Sequence, residues 1–95
     1  FDVLRWATRG SARCLGRDDV GTIAPGKQAD IALFNLDEAR FSGAGDPLAA
    51  LLLCGAHRAD YVMLGGQWKV EKGRLVGTDI HALMEEHAAA AAELL

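Results

Sequence analysis

The 95-residue chain has few of the residues that announce a scaffold or a reaction centre: two cysteines, two prolines, three histidines and no apolar run long enough for a membrane. Each shortage excludes something. Cys14 and Cys54 are far apart and sit in no Cys-x-x-Cys pair, so neither a disulfide framework nor a zinc knuckle is expected, and both read as buried free thiols. With so little proline and 51% hydrophobic residues, the chain is expected to fold rather than stay disordered. A membrane span needs about 18 or more consecutive apolar residues, and none is found. The start at Phe1-Asp2 has no basic stretch leading into an apolar one, so no secretory signal is read and a cytoplasmic location is expected. It also lacks an initiator methionine, so a fragment of a longer protein or a processed product is expected. The net charge of −3, with seven arginines scattered along the chain, offers no basic stripe for DNA or RNA.

Chemistry is equally scarce. No His-x-His occurs, no serine stands in a Gly-x-Ser-x-Gly elbow, and no glycine loop runs into Lys-Ser/Thr. His81 and His87 are separated by about 240° around a helix, so they do not form a metal pair and read as a solvated flank beside Glu85 and Glu86. His57, just ahead of a strand, is expected to make a structural hydrogen bond. Cys14 lies late in a helix, where the dipole disfavours a thiolate. No catalytic or metal-ligating residue is assigned, and the substrate-binding residues stay unknown.

The structural signals, by contrast, are dense. Asp2 is placed to cap a helix over residues 3 to 15, whose small residues Ala7, Gly10, Ser11 and Ala12 permit close approach of a neighbour and which Gly16 ends. Ala24-Pro25-Gly26-Lys27 fits a type II turn, proline presetting φ at the second position and glycine accepting a positive φ at the third. The turn leads to Ala29-Asp30 and the apolar run Ile31 to Phe34, a strand expected to be packed on both faces. An acid directly before a buried strand is suited to accepting backbone amides, with the nearby Pro-Gly turn as the expected source. Gly21, Pro25, Gly26, Ala29 and Asp30 are therefore candidate structural residues.

Asp46-Pro47 opens a short, nearly all-apolar helix over residues 48 to 54 that Gly55 stops and that needs cover. "YVMLGGQWKVEKGRLV" reads as a three-stranded meander turning at Gly65-Gly66 and Lys72-Gly73, with Trp68 and Val70 on one side of the middle strand. Thr78 or Asp79 caps a last helix from Ile80 to about Leu94.

Together, "WATRGSARCLGRDDVGTIAPGKQADIALFNLD" and "ADYVMLGGQWKVEKGRLVG" resemble the C-terminal signature of the amidohydrolase superfamily. With "FSGAGDPLAALLLCGAHRADYVM", the chain is most similar to the branch of 8-oxoguanine deaminases and hydroxyatrazine aminohydrolases, near guanine deaminases and methylthioadenosine/S-adenosylhomocysteine deaminases. The resemblance implies an α+β piece of a metal-bearing (β/α)8-barrel enzyme. Residues 1–16 would be the closing barrel helix, 17–77 the C-terminal share of a small composite β-sandwich, and 78–95 a helix packed back on the outside. It implies zinc or another divalent metal in the parent, activating a water for ring deamination. The family's ligands all precede the matched region, so none is carried onto this chain, which is expected to be structural and catalytically silent. Its partner would be the rest of the enzyme chain. An alternative is a stand-alone β-rich binding or oligomerisation module, and an isolated copy is expected to self-associate through uncovered apolar surface.

Overall fold

A computed structural model describes residues 2–55 and 58–95; His57 lies outside the described residues. The chain opens with a helical stretch made of α1 (Asp2–Arg5), a π-helical segment (Trp6–Gly10) and α2 (Ser11–Cys14). Asp2 is inside the first turn and does not cap it. The expected uniform helix is widened in its middle, where hydroxyls compete with the backbone: Thr8 Oγ1 donates to the Leu4 carbonyl at 2.8 Å and Ser11 Oγ to the Trp6 carbonyl at 3.3 Å. The stretch ends as expected at Gly16, φ 70°. Gly16 N donates to Arg13 O at 2.9 Å and Arg17 N to Ala12 O at 3.0 Å, which satisfies two carbonyls that the helix end would otherwise leave open.

After a long turn region comes β1 (Ile31–Leu33), then a 3-10 turn (Ala39–Phe41) and α3 (Pro47–Leu53). Asp46 caps α3 through its Oδ1, which accepts the Leu48 and Ala49 amides at 3.0 and 3.3 Å. The meander follows as β2 (Tyr61–Leu64), β3 (Gln67–Glu71) and β4 (Arg74–Leu75), and α4 (Ile80–Leu94) completes the fold. Asp79 caps α4, its Oδ1 accepting the His81 and Ala82 amides at 3.1 Å each.

The four strands form one antiparallel sheet in the order β1-β2-β3-β4. Both hairpin turns have two positive-φ residues, Gly65 (57°) with Gly66 (81°) and Lys72 (50°) with Gly73 (77°), the backbone that matches strand twist in a two-residue turn. The β1–β2 pairing is closed at one end by Asp60 N donating to Leu33 O at 2.9 Å.

A bulge in the β2–β3 ladder changes the expected facing. Met63 pairs with Trp68 and Val62 with Val70. Val62 and Met63 are consecutive and point to opposite sides, so Trp68 and Val70 lie on opposite faces, not on the same one. One face therefore carries Ile31, Leu33, Tyr61, Met63 and Trp68, and the other Ala32, Val62, Val70 and Leu75. Tyr61 and Trp68 meet edge to face at 5.7 Å between ring centroids. Both faces are apolar.

Among the described residues neither face is more than half-buried. The buried hydrophobic residues are Ala12, Phe41 and Ala50, while Leu33, Leu64, Trp68 and Leu75 are exposed. β1 is half-buried at Ile31 and open beyond it, so the burial on both faces expected from its apolar run is not supplied by this chain. The helix α3 buries only Ala50 and leaves Leu53 82% exposed. Cys14 and Cys54 are free thiols but exposed, correcting the expected burial: among the described residues no layer lies over either position. The accessible surface is 7669 Å², against about 5,300 Å² for a compact folded chain of this length. The radius of gyration, 16.8 Å, exceeds the value of about 12 Å for a compact domain of the same size.

Candidate functional site

The residues singled out in the sequence converge on a junction between the N-terminal helix and the sheet. Gly21 takes φ 90°, open to glycine and strained for other residues. It also sits directly on the helix: a Cβ there would stand 3.0 Å from both the Ala12 Cβ and the Thr8 carbonyl oxygen, and 3.2 Å from Arg9 Cα. The small side chain at Ala12 is what lets the two segments meet. Next to this contact, Arg9 Nε donates to Thr22 Oγ1 at 3.2 Å.

The turn follows at once. Gly26 has φ 83° and Lys27 N donates to Ala24 O at 3.2 Å, the closing bond of a type II turn with Pro25 and Gly26 at its centre. The charged loop ahead of the turn holds its far side. Gln28 N donates to Asp19 O at 2.7 Å, and Lys27 Nζ donates to Asp18 O. Arg17 grips Asp19 with two bonds, Nε to Oδ1 at 2.9 Å and Nη2 to Oδ2 at 2.7 Å. The hydrogen bonds from Arg17 hold the Asp19 carboxyl below the usual carboxylate range, and the guanidinium's positive charge acts in the same direction.

Ala29 and Asp30 then take both amides of the β2–β3 turn. Gly65 N donates to Asp30 Oδ1 at 2.8 Å, and Gly66 N to Ala29 O at 3.2 Å. The acid does receive a turn amide, but from a turn 35 residues away, not from the neighbouring Pro25-Gly26 turn. In the sequence, Gly65 and Gly66 carry only a hairpin signal. No local pattern shows that this hairpin would dock on Asp30, since the pairing depends on how the sheet assembles.

This geometry organises backbone, joining the N-terminal helix, the charged loop and the β2–β3 turn. His81 and His87 lie on α4, which is exposed along nearly its whole length. Among the described residues no group of three or more His, Cys, Asp or Glu is placed to hold a metal ion. Among them, too, no helix is long and apolar enough to cross a membrane.

Comparison with known proteins places this junction in context. The Amidohydrolase family model matches residues 1–73. The chain is 64% identical over 93 residues to an 8-oxoguanine deaminase of Pseudomonas aeruginosa, a match covering 98% of this chain and 21% of that protein. A solved adenosine deaminase from Xanthomonas campestris with bound zinc superposes with TM-score 0.85 at 32% identity, over 95% of this chain and 21% of the other. An atrazine chlorohydrolase from Arthrobacter aurescens complexed with zinc gives TM-score 0.82 at 42% identity, over 90% and 19%. The chain spans about a fifth of the length of the curated relatives it matches.

Proposed function

Since the chain belongs to the amidohydrolase family, we propose that it is the C-terminal part of a cytoplasmic, metal-dependent aminohydrolase that deaminates a purine-like ring, with 8-oxoguanine as the leading substrate. The observation that carries this reading is the 64% identity to an 8-oxoguanine deaminase over 98% of the chain. Residues 1–16 act as the closing helix of the barrel, residues 17–77 as one share of a composite β-sandwich, and residues 78–95 as an outer helix. The metal belongs to the remainder of the enzyme, with zinc favoured by the zinc-bound relatives. Within this part, Gly21, Pro25, Gly26, Ala29 and Asp30 are structural: they fix the angle and register at which the chain passes from helix to sheet.

The sheet supports this role physically. Two apolar faces on a single layer are stable only when other layers cover both, and the rest of the enzyme is the natural source of that cover. Docking would recover roughly 25 cal/mol for each Å² of apolar surface removed from water.

The test is ammonia release from 8-oxoguanine in the presence of zinc, measured for the complete protein and for residues 1–95 alone. Turnover by the complete protein with none by the isolated chain is the expected result. Turnover by the isolated chain would overturn its silence, and an inactive, zinc-loaded complete protein would overturn the substrate.

The same uncovered faces favour a second reading, a stand-alone module that self-associates. Light scattering on the naturally expressed protein separates the two. A species of about five times this chain's mass per subunit supports the enzyme, in keeping with the one-fifth coverage of its relatives. An assembly of 95-residue subunits supports the module.

A further inference from the structure

The β3–β4 turn, the first turn of α4 and the segment ahead of β2 border a half-open cavity of about 500 Å³, lined by none of the residues of the helix–sheet junction. Arg58, Arg74, Thr78, Asp79 and His81 line it. We propose that this cavity binds a small ligand through an oxyanion group, a phosphate or a carboxylate.

Charge and placement carry the argument. Two arginines, Arg58 and Arg74, line one concavity from separate segments, in a chain whose net charge is −3. Among the described residues the ion pairs are Arg17–Asp19 and Arg40–Glu38, and neither Arg58 nor Arg74 takes part in one. Asp79 is the acid in the lining, and its Oδ1 is already engaged by the His81 and Ala82 amides. The start of α4 is thus capped from within, and the attraction for an anion comes from the arginines and not from the helix end. The backbone that carries the arginines is held by the fold. Gly73 N donates to Asp60 O at 2.8 Å, which ties the segment carrying Arg58 to the turn before Arg74. Arg58 lies against Gly73, its Nη2 3.9 Å from where a Cβ would stand, an ordinary contact that puts this guanidinium beside the β3–β4 turn. Planar guanidinium groups favour paired hydrogen bonds to phosphate or carboxylate oxygens, and Thr78 and His81 add donors of a different reach. The volume falls in the range of small-molecule sites.

The experiment is calorimetric titration of the protein at its natural length with inorganic phosphate and, separately, with citrate, which distinguishes the two oxyanion sources. Saturable binding of at least one is expected, weakened about tenfold or more in the Arg58→Gln/Arg74→Gln double variant. The Arg58→Lys/Arg74→Lys variant, which keeps the charge but not the fork, should lie between. Should the double variant fail to fold, amide shifts of Gly73, Arg74 and Thr78 in the unaltered protein on adding phosphate or citrate decide the matter. Undiminished binding in a folded double variant would overturn the proposal. So would the absence of both saturable heat and amide shifts, or a crystal structure with an acidic side chain of the same protein seated between the two arginines.

Discussion

The stretch from Gly21 to Asp30 and the helix α4 are held in opposite ways. The first has little regular structure, yet it is fastened to the N-terminal helix through Gly21 and Thr22, to the charged loop through Lys27 and Gln28, and to the β2–β3 turn through Ala29 and Asp30. The second is regular for its fifteen residues and exposed almost throughout, held by its Asp79 cap and by the high helix propensity of its alanines. An irregular segment can therefore be the most constrained part of a fold, and a regular one the least. Regularity reports local preference; constraint reports contacts between distant parts of the chain.

Substitutions can break that contrast from either side. The largest effect is expected at Gly21. Gly21→Ala combines an unfavourable φ with two contacts at 3.0 Å and should destabilise the folded protein by about 2–4 kcal/mol, read as a lowered midpoint in urea unfolding. Asp30→Ala comes next. It removes the acceptor of the Gly65 amide and should cost about 1–2 kcal/mol, the low end for a hydrogen bond to a charged group because the bond is exposed. Hydrogen exchange should show faster exchange at Gly65 in this variant, with α4 unchanged.

Asp79→Ala should do the reverse. Loss of the cap should cost about 1 kcal/mol or less, confined to faster exchange in the first turn of α4, while the β2–β3 turn keeps its protection. Equal loosening of the sheet by Asp79→Ala would erase the contrast. The smallest effect belongs to Asp19, whose carboxyl is held below its usual range by Arg17. Its contribution is present above the ordinary carboxylate range and is lost as pH falls through the depressed folded value. An NMR titration should show that midpoint return towards the ordinary value in Arg17→Gln.

How much of this was legible in the sequence follows the same division. The Pro25-Gly26 turn, the two hairpin turns, the caps at Asp46 and Asp79 and the stop at Gly16 rest on interactions within a few residues, and each can be read from local pattern. The family resemblance was equally readable from motif order and spacing. The partner of Asp30 was not, because its donor is 35 residues away. The bulge that turns Trp68 and Val70 to opposite faces also escaped, since simple alternation carries no sign of an extra residue. Burial at β1 and at the two cysteines differs from expectation for another reason. Apolar composition shows that a surface wants cover, not that the same chain provides it.

The bond from Asp60 N to Leu33 O makes the chain leave β1 and rejoin the sheet in β2 at nearly the same point. Everything between is a detour with fixed ends. Lengthening such a detour costs little, because closure entropy grows only with the logarithm of loop length. Residues 42–45, exposed ahead of α3, are therefore the place where a peptide tag or reporter can be inserted while the strand pairing on either side keeps its register.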